Sequence, residues 1–148
     1  MADVSKECWN EWIKNKAVAN AGVVVVNSRN GALLLYKNAE WEIPSGGIEI
    51  NEYPKMAAIR ELNEETKIQL SEEELIEIGL VTAFHPNGKT DVIVTFIAFS
   101  DAEVFLSSEH SDNQWLSLER IDDPIILMHP TTRRQLSMAY ELVKRKSA

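Results

Sequence analysis

The sequence predicts a mixed α/β (α+β) domain, on three observations. Runs rich in valine, isoleucine and phenylalanine recur along the 148 residues, as strands require. Between them lies a polar, glycine-containing loop that leads into a helix started by Pro54. A second proline-started helix, from Pro130, closes the chain.

Each element has its own signal. Residues 4 to 16 read as a short helix, with Ser5 as N-cap and Trp9, Trp12 and Ile13 at i, i+3, i+4 spacing. Its plainest use is to cover a sheet edge; a dimer contact or a stacking tryptophan is the sharper alternative. Ala17 to Val26 reads as a buried strand centred on Val23-Val24-Val25-Val26. Asn27-Ser28-Arg29-Asn30-Gly31 is turn chemistry, and Ala32 to Lys37 returns from it, which predicts a hairpin. Trp41-Glu42-Ile43 is a short extended piece held before Pro44. Ser71 caps a short acidic turn, Glu72-Glu73-Glu74. Leu75 to Phe84 and Asp91 to Phe99 are strands, with His85-Pro86-Asn87-Gly88 as the turn between them. The second is apolar on both faces, so it belongs in the middle of a sheet. Asp101 to Asn113 is a polar loop and Gln114 to Leu118 a short strand. The last helix buries Leu136, Ala139, Tyr140 and Val143, and ends on Lys144-Arg145-Lys146, which complements its dipole.

Composition narrows the function classes. The chain is 45% hydrophobic and carries a net charge of −8. An acidic surface argues against sequence-independent binding to long nucleic acid, but not against a nucleotide whose phosphates a metal ion offsets. Cys8 is the only cysteine, so no internal disulfide or cysteine metal cluster forms. No apolar run reaches membrane-spanning length. The start, MADVSKE, lacks a basic-then-apolar leader pattern. The expectation is a cytoplasmic protein with no membrane partner, folded as one domain over 1–148.

The chemistry sits in Gly46 to Ile68, GGIEINEYPKMAAIRELNEETKI. At about 100° per residue from Pro54, Glu61, Glu64 and Glu65 fall on one helical face, and Ala58, Ile59 and Leu62 on the adjacent core face. Like charges so spaced repel. A hard divalent cation reverses the sign of that cost, because it takes carboxylate oxygens and keeps positions open for water and phosphate. Five residues separate Gly46 from Glu52, and seven more precede Arg60-Glu61-Leu62; Glu64-Glu65 and Ile68 follow.

This spacing resembles the Nudix box, G-x5-E-x7-R-E-U-x-E-E-x-G-U with U aliphatic. If each specific letter has roughly one-in-fifteen odds, the six matches arise by chance on the order of once in 10⁷ starting positions. Lys67 departs from it, standing where the box has its last glycine; a lysine there either carries about 1 kcal/mol of left-handed strain or ends the helix differently. Pro44-Ser45-Gly46 replaces the usual Pro-Gly-Gly lead-in, and Tyr53 replaces a small hydroxyl N-cap.

The resemblance implies the Nudix fold, a mixed β-sheet sandwiched between helices. It implies hydrolysis of a nucleoside diphosphate linked to another group, assisted by magnesium (Mg²⁺) with Mn²⁺ as substitute, on a small-molecule nucleotide. By the motif match, Glu61, Glu64 and Glu65 bind the metal, and Glu52 joins them or orients a ligand. Arg60 pairs with a box carboxylate and fixes its rotamer, and Gly46 lets the loop backbone pass close to the helix. Glu109, six residues ahead of Trp115, is the candidate for the further loop carboxylate that MutT-like members use as metal ligand or base; Glu103 is its weaker rival. His85, His110 and His129 read as solvated. Lys37 and Arg29 are candidates to meet phosphate, and Trp41 reads as core or as a base-stacking platform. The small size favours a MutT-like nucleoside triphosphate pyrophosphohydrolase. The alternatives are an ADP-ribose, nucleotide-sugar or dinucleoside polyphosphate hydrolase, and a catalytically silent nucleotide-binding module of the same fold. A homodimer is compatible with all of these.

Overall fold

The computed structural model describes residues 18–84, 88 and 90–147. The helix expected over residues 4 to 16, and His85, Pro86 and Asn87 of the expected turn, lie outside the described residues. In chain order the strands are β1 (Val18–Val26), β2 (Gly31–Lys37), β3 (Glu40–Glu42), β4 (Ser45–Gly47), β5 (Ile76–Phe84), β6 (Thr90–Phe99) and β7 (Asp112–Ser117). The helices are α1 (Pro54–Thr66) and α2 (Pro130–Ser147).

The strands form one mixed sheet in the order β3-β2-β1-β6-β5, with β4 also paired to β1 and β7 to β2. A strand apolar on both faces needs cover on both, and β1 is such a strand. It runs parallel to β6 from Val18 opposite Asp91 to Val26 opposite Phe99. β6 therefore lies inside the sheet, as its two apolar faces predict. The expected hairpin is close only at its turn, where Asn27 N–H donates to Gly31 O at 2.9 Å and Val26 faces Ala32. Beyond that the strands part, because β1 takes β6 and β4 as partners while β2 takes β3 and β7.

Alternation along the strands builds two cores. Ala19, Ala21, Val23 and Val25 of β1 point to one face, with Leu33, Leu35, Val94 and Phe96, and meet Ala57, Ala58 and Leu62 of α1. Val24, Val26, Leu34 and Ile97 point to the other and meet Leu136, Ala139 and Val143 of α2. The sheet is thus sandwiched between the two helices, as the resemblance implies. Tyr140 is half-buried beside that second core. Gln135 ties α2 to the sheet, its Nε2 donating to Thr95 Oγ1 at 3.1 Å in a buried setting.

The ends of α1 explain what sits beside it. Pro54 occupies the first turn and Tyr53 gives no side-chain cap; its hydroxyl instead donates to Glu72 Oε2 at 2.5 Å. Ser71 does engage the acidic turn, its N–H and Oγ each 3.2 Å from Glu74 Oε1. At the other end Lys67 adopts φ 66°, ψ 5°, the left-handed conformation of the missing glycine, and its N–H donates to Asn63 O at 2.9 Å. The helix ends as the box would end it, with lysine carrying the strain. The last turn leaves carbonyls without helical partners. Phe105 N–H donates to Thr66 O at 3.0 Å and Ser107 N–H to Glu65 O at 3.2 Å. These two bonds moor the polar loop, and Glu109 with it, against the helix. Among the described residues no helix is long and apolar enough to cross a membrane.

Candidate metal and substrate site

The three glutamates of α1 do not share one environment. Helical rotation spreads them from solvent to core. The Glu64 side chain is 56% exposed and that of Glu61 15%, while Glu65 is buried. Arg60 gathers the outer carboxylates. Its Nε donates to Glu52 Oε2 at 2.7 Å and its Nη2 to Glu52 Oε1 at 2.9 Å, a bidentate pair. Its Nη1 donates to Glu61 Oε1 at 2.9 Å and reaches Glu64 Oε1 at 3.3 Å; Nη2 also bonds Gly47 O at 2.9 Å. The Arg60 hydrogen bond, foremost, holds the Glu52 carboxyl below its usual value.

Gly46 is needed for a steric reason. It pairs with Ala21 across β1 and β4, and a Cβ on it would overlap the Glu61 carboxylate. The adjacent Gly47 has room: the nearest atom to a Cβ there is Asn20 Oδ1 at 3.8 Å. The loop therefore admits the Glu61 carboxylate only where the side chain is a hydrogen.

Glu65 reaches the sheet side of the same region. Ser45 N–H donates to its Oε1 at 3.0 Å. Burial pushes its carboxyl up to about 8, with Glu61, Glu42 and Glu109 adding to the shift against the Ser45 bond. Burial also raises Glu61, against the pull of Arg60. Glu65, Glu109 and His110 each bring a ligand atom within 4.8 Å of the others. Glu109 is exposed and His110 buried, so the group runs from the surface inwards.

Beside the acidic group a cleft of about 290 Å³ opens between β3, β4 and the start of α2. Trp41, Ile43, Ala83 and Ile93 give it apolar walls, and Lys37, His129 and Gln135 supply polar groups. Two of its residues touch the acidic site directly. Ser45 holds Glu65, and Glu42 Oε1 lies 3.3 Å from His110 Nε2.

The structure thus brings Glu52, Arg60, Glu61 and Glu64 into one network, and Glu65 and Glu109 into an adjoining group. Glu103 is exposed and lies outside both. His110 is a correction: it reads as solvated in the sequence but is only 6% exposed, because it follows the moored loop into the interior. His129 is exposed, accepts the Thr131 N–H on Nδ1 at 3.0 Å and borders the cleft. Trp41 is half-buried against Tyr36, with ring centroids 4.9 Å apart, and still faces the cleft. Arg29 stays at the exposed β1–β2 turn and Lys37 at the cleft edge. Sequence reasoning missed Glu42, Ser45 and Gln135 as neighbours of the site, because strand pairing and a helix 90 residues away place them there.

Comparison with known proteins agrees with this fold. Residues 16–138 match the NUDIX domain. A MutT-like protein of Streptomyces ambofaciens is 40% identical over 112 residues, covering 72% of this chain and 68% of that protein. Nudix hydrolase 25 of Arabidopsis thaliana is 45% identical over 56 residues, covering 36% of this chain; the chain spans about a third of that relative's length (32%). Among solved structures, the MutT protein of Methanosarcina mazei Go1 superposes with a TM-score of 0.72 at 25% identity, covering 84% of this chain and 94% of that one. A Caenorhabditis elegans Ap4A hydrolase superposes with a TM-score of 0.69 at 28% identity, covering 86% and 98%.

Proposed function

The chain belongs to the Nudix family, and from that membership we propose that it is a metal-dependent pyrophosphohydrolase whose substrate is a nucleoside triphosphate. One observation carries the reading: Glu65 of the box converges with Glu109 and His110, next to the carboxylates that Arg60 gathers and beside a cleft that Ser45 and Glu42 join to the group. The donor set suits a hard divalent cation. Glu52, Glu61, Glu64, Glu65 and Glu109 offer carboxylate oxygens, which Mg²⁺ and Mn²⁺ prefer. The raised Glu65 and Glu61 carboxyls mark negative charge crowded into a partly dry site, which such a cation would relieve. When bound, the cation neutralises diphosphate charge and lowers the pKa of water.

The chain's own residues then have separate tasks. Arg60 fixes Glu52 and Glu61, the Ser45 N–H fixes Glu65, and Gly46 makes room for Glu61. Water attacks one phosphorus, the P–O bond to the bridging oxygen breaks, and the water's proton goes to an exposed carboxylate, Glu64 or Glu109. A cleft of about 290 Å³ is near the lower end for small-molecule sites and suits one nucleoside. Trp41 offers its ring to a base, and Lys37 and His129 stand where phosphates can reach them.

A second reading, hydrolysis of a dinucleoside polyphosphate, is favoured by the likeness to the nematode Ap4A hydrolase. Product analysis decides between them. With Mg²⁺, a nucleoside triphosphate pyrophosphohydrolase releases pyrophosphate and a nucleoside monophosphate, and leaves diadenosine tetraphosphate, ADP-ribose and nucleotide sugars untouched. Preferential cleavage of the tetraphosphate to two nucleotides would replace the first reading by the second. No turnover of any of these with Mg²⁺ or Mn²⁺ would refute both.

A further inference from the structure

His110 is a buried imidazole with one nitrogen accounted for. Nε2 lies 3.3 Å from Glu42 Oε1. An ionised carboxylate only accepts, so this hydrogen bond puts the proton of the neutral ring on Nε2 and leaves a lone pair on Nδ1. Nδ1 is closed to solvent and has no hydrogen-bond partner among the described residues. Buried polar atoms are normally paired, and an exception calls for a reason.

A reason lies alongside. A ring nitrogen of His110 comes within 4.8 Å of carboxylate oxygens of both Glu65 and Glu109. Bonds of about 2.0–2.2 Å place donors around one cation at most about 4.4 Å apart, so small side-chain shifts close the group on an ion. The Glu42–His110 pair also has the form that orients metal-binding histidines, with a carboxylate on the far ring nitrogen fixing tautomer and ring plane. The Glu65 carboxylate is held by Ser45 N–H, and the loop that carries Glu109 is bonded to the end of α1.

We propose that His110 Nδ1 is a ligand of the cation held by Glu65 and Glu109, with Glu42 as the group that orients the ring. Imidazole nitrogen suits Mn²⁺, Co²⁺ and Zn²⁺ better than Mg²⁺, so this donor biases the site towards the former. The inference rests on the reading that the box carboxylates bind a divalent cation, and it adds a nitrogen donor that the box itself does not contain.

The test uses the full chain with one equivalent of Mn²⁺ and no substrate. Pulsed EPR of wild type shows the nitrogen coupling of a bound imidazole, and His110→Gln abolishes it. Titration calorimetry on the same pair shows Mn²⁺ affinity falling about tenfold or more in the variant, and Glu42→Gln producing a smaller fall of the same sign, while Mg²⁺ affinity changes less than about threefold. Mn²⁺ bound to wild type without nitrogen coupling overturns the proposal and leaves the hydrolase reading standing. So does coupling that persists in His110→Gln, since His85 and His129 are the other histidines. If wild type binds no Mn²⁺, both readings fall. The wild-type spectrum needs no variant, so misfolding of a substituted chain cannot rescue the idea.

Discussion

Gly46→Ala is the smallest perturbation that tests how the site is assembled. The added methyl would overlap the Glu61 carboxylate. Restoring ordinary contact, at about 3.5–4.0 Å between carbons, moves that carboxylate by roughly 1.5–2 Å or displaces β4 from β1. Either shift stretches the 2.9 Å bond from Arg60 Nη1 to Glu61 Oε1. Overpacking of this kind costs about 1–3 kcal/mol of stability, and a misplacement near 1 Å costs about 100-fold in rate. Gly47→Ala is the matched control, because its Cβ finds no atom nearer than 3.8 Å. The assay is pyrophosphate release with saturating Mg²⁺, run beside urea unfolding of both variants. The account expects Gly46→Ala to lose about two orders of magnitude in kcat and Gly47→Ala to stay within about threefold of wild type. Equal activity in the two variants would refute the claim that this glycine is required by the Glu61 carboxylate.

Other consequences follow from the same geometry. Lys67→Gly removes a non-glycine residue from φ 66° and should raise stability by about 1 kcal/mol in urea unfolding, with kcat unchanged. Glu65 has a folded carboxyl raised to about 8, so its contribution to stability is full below its ordinary 4.5 and is lost as pH rises through about 8. The metal-free protein should therefore weaken by on the order of a few kcal/mol across that window, and Glu65→Gln should flatten the profile. Glu52 has the opposite sign: its carboxyl is lowered, so the stability it adds is present above 4.5 and is lost as pH falls through the lowered value. Thermal melts of Glu52→Gln against wild type should differ at neutral pH and converge in acid. Glu109→Gln should weaken Mn²⁺ binding about tenfold by calorimetry, whereas Glu103→Gln, outside the group, should leave it unchanged.

The parts of this protein that were legible in its sequence are the local ones. Proline at a helix start, the valine run of β1 and the spacing of six box letters act over a few residues, and each appears where the sequence places it. Strand partnership is not local. The Asn27–Gly31 turn predicts a hairpin, but β1 finds its long partner in β6, some 70 residues on, and nothing near the turn announces that. The acidic face of α1 was visible as a set, while its spread from exposed Glu64 to buried Glu65 needed the positions of β4 and the polar loop. His110 illustrates the limit best. Its neighbours Glu109 and Ser111 are exposed, yet bonds from Phe105 and Ser107 to the end of α1 draw the loop in and bury it. Lys67 shows the reverse: a departure from the box that the backbone absorbs, because the left-handed helix end is retained with a different side chain.

The central claim is that the carboxylates of α1 hold a cation for attack on a diphosphate. Glu64→Gln tests it most directly, since it keeps side-chain shape and removes one ligand charge from a residue the core does not use. Wild type and variant are stripped of metal, then assayed for pyrophosphate release from nucleoside triphosphates as Mg²⁺ is added back. The account predicts that stripped wild type is inactive, that Mg²⁺ restores it, and that the variant stays at least about 100-fold slower at saturating Mg²⁺. Full activity of the variant, or turnover by wild type without any divalent ion, would contradict it.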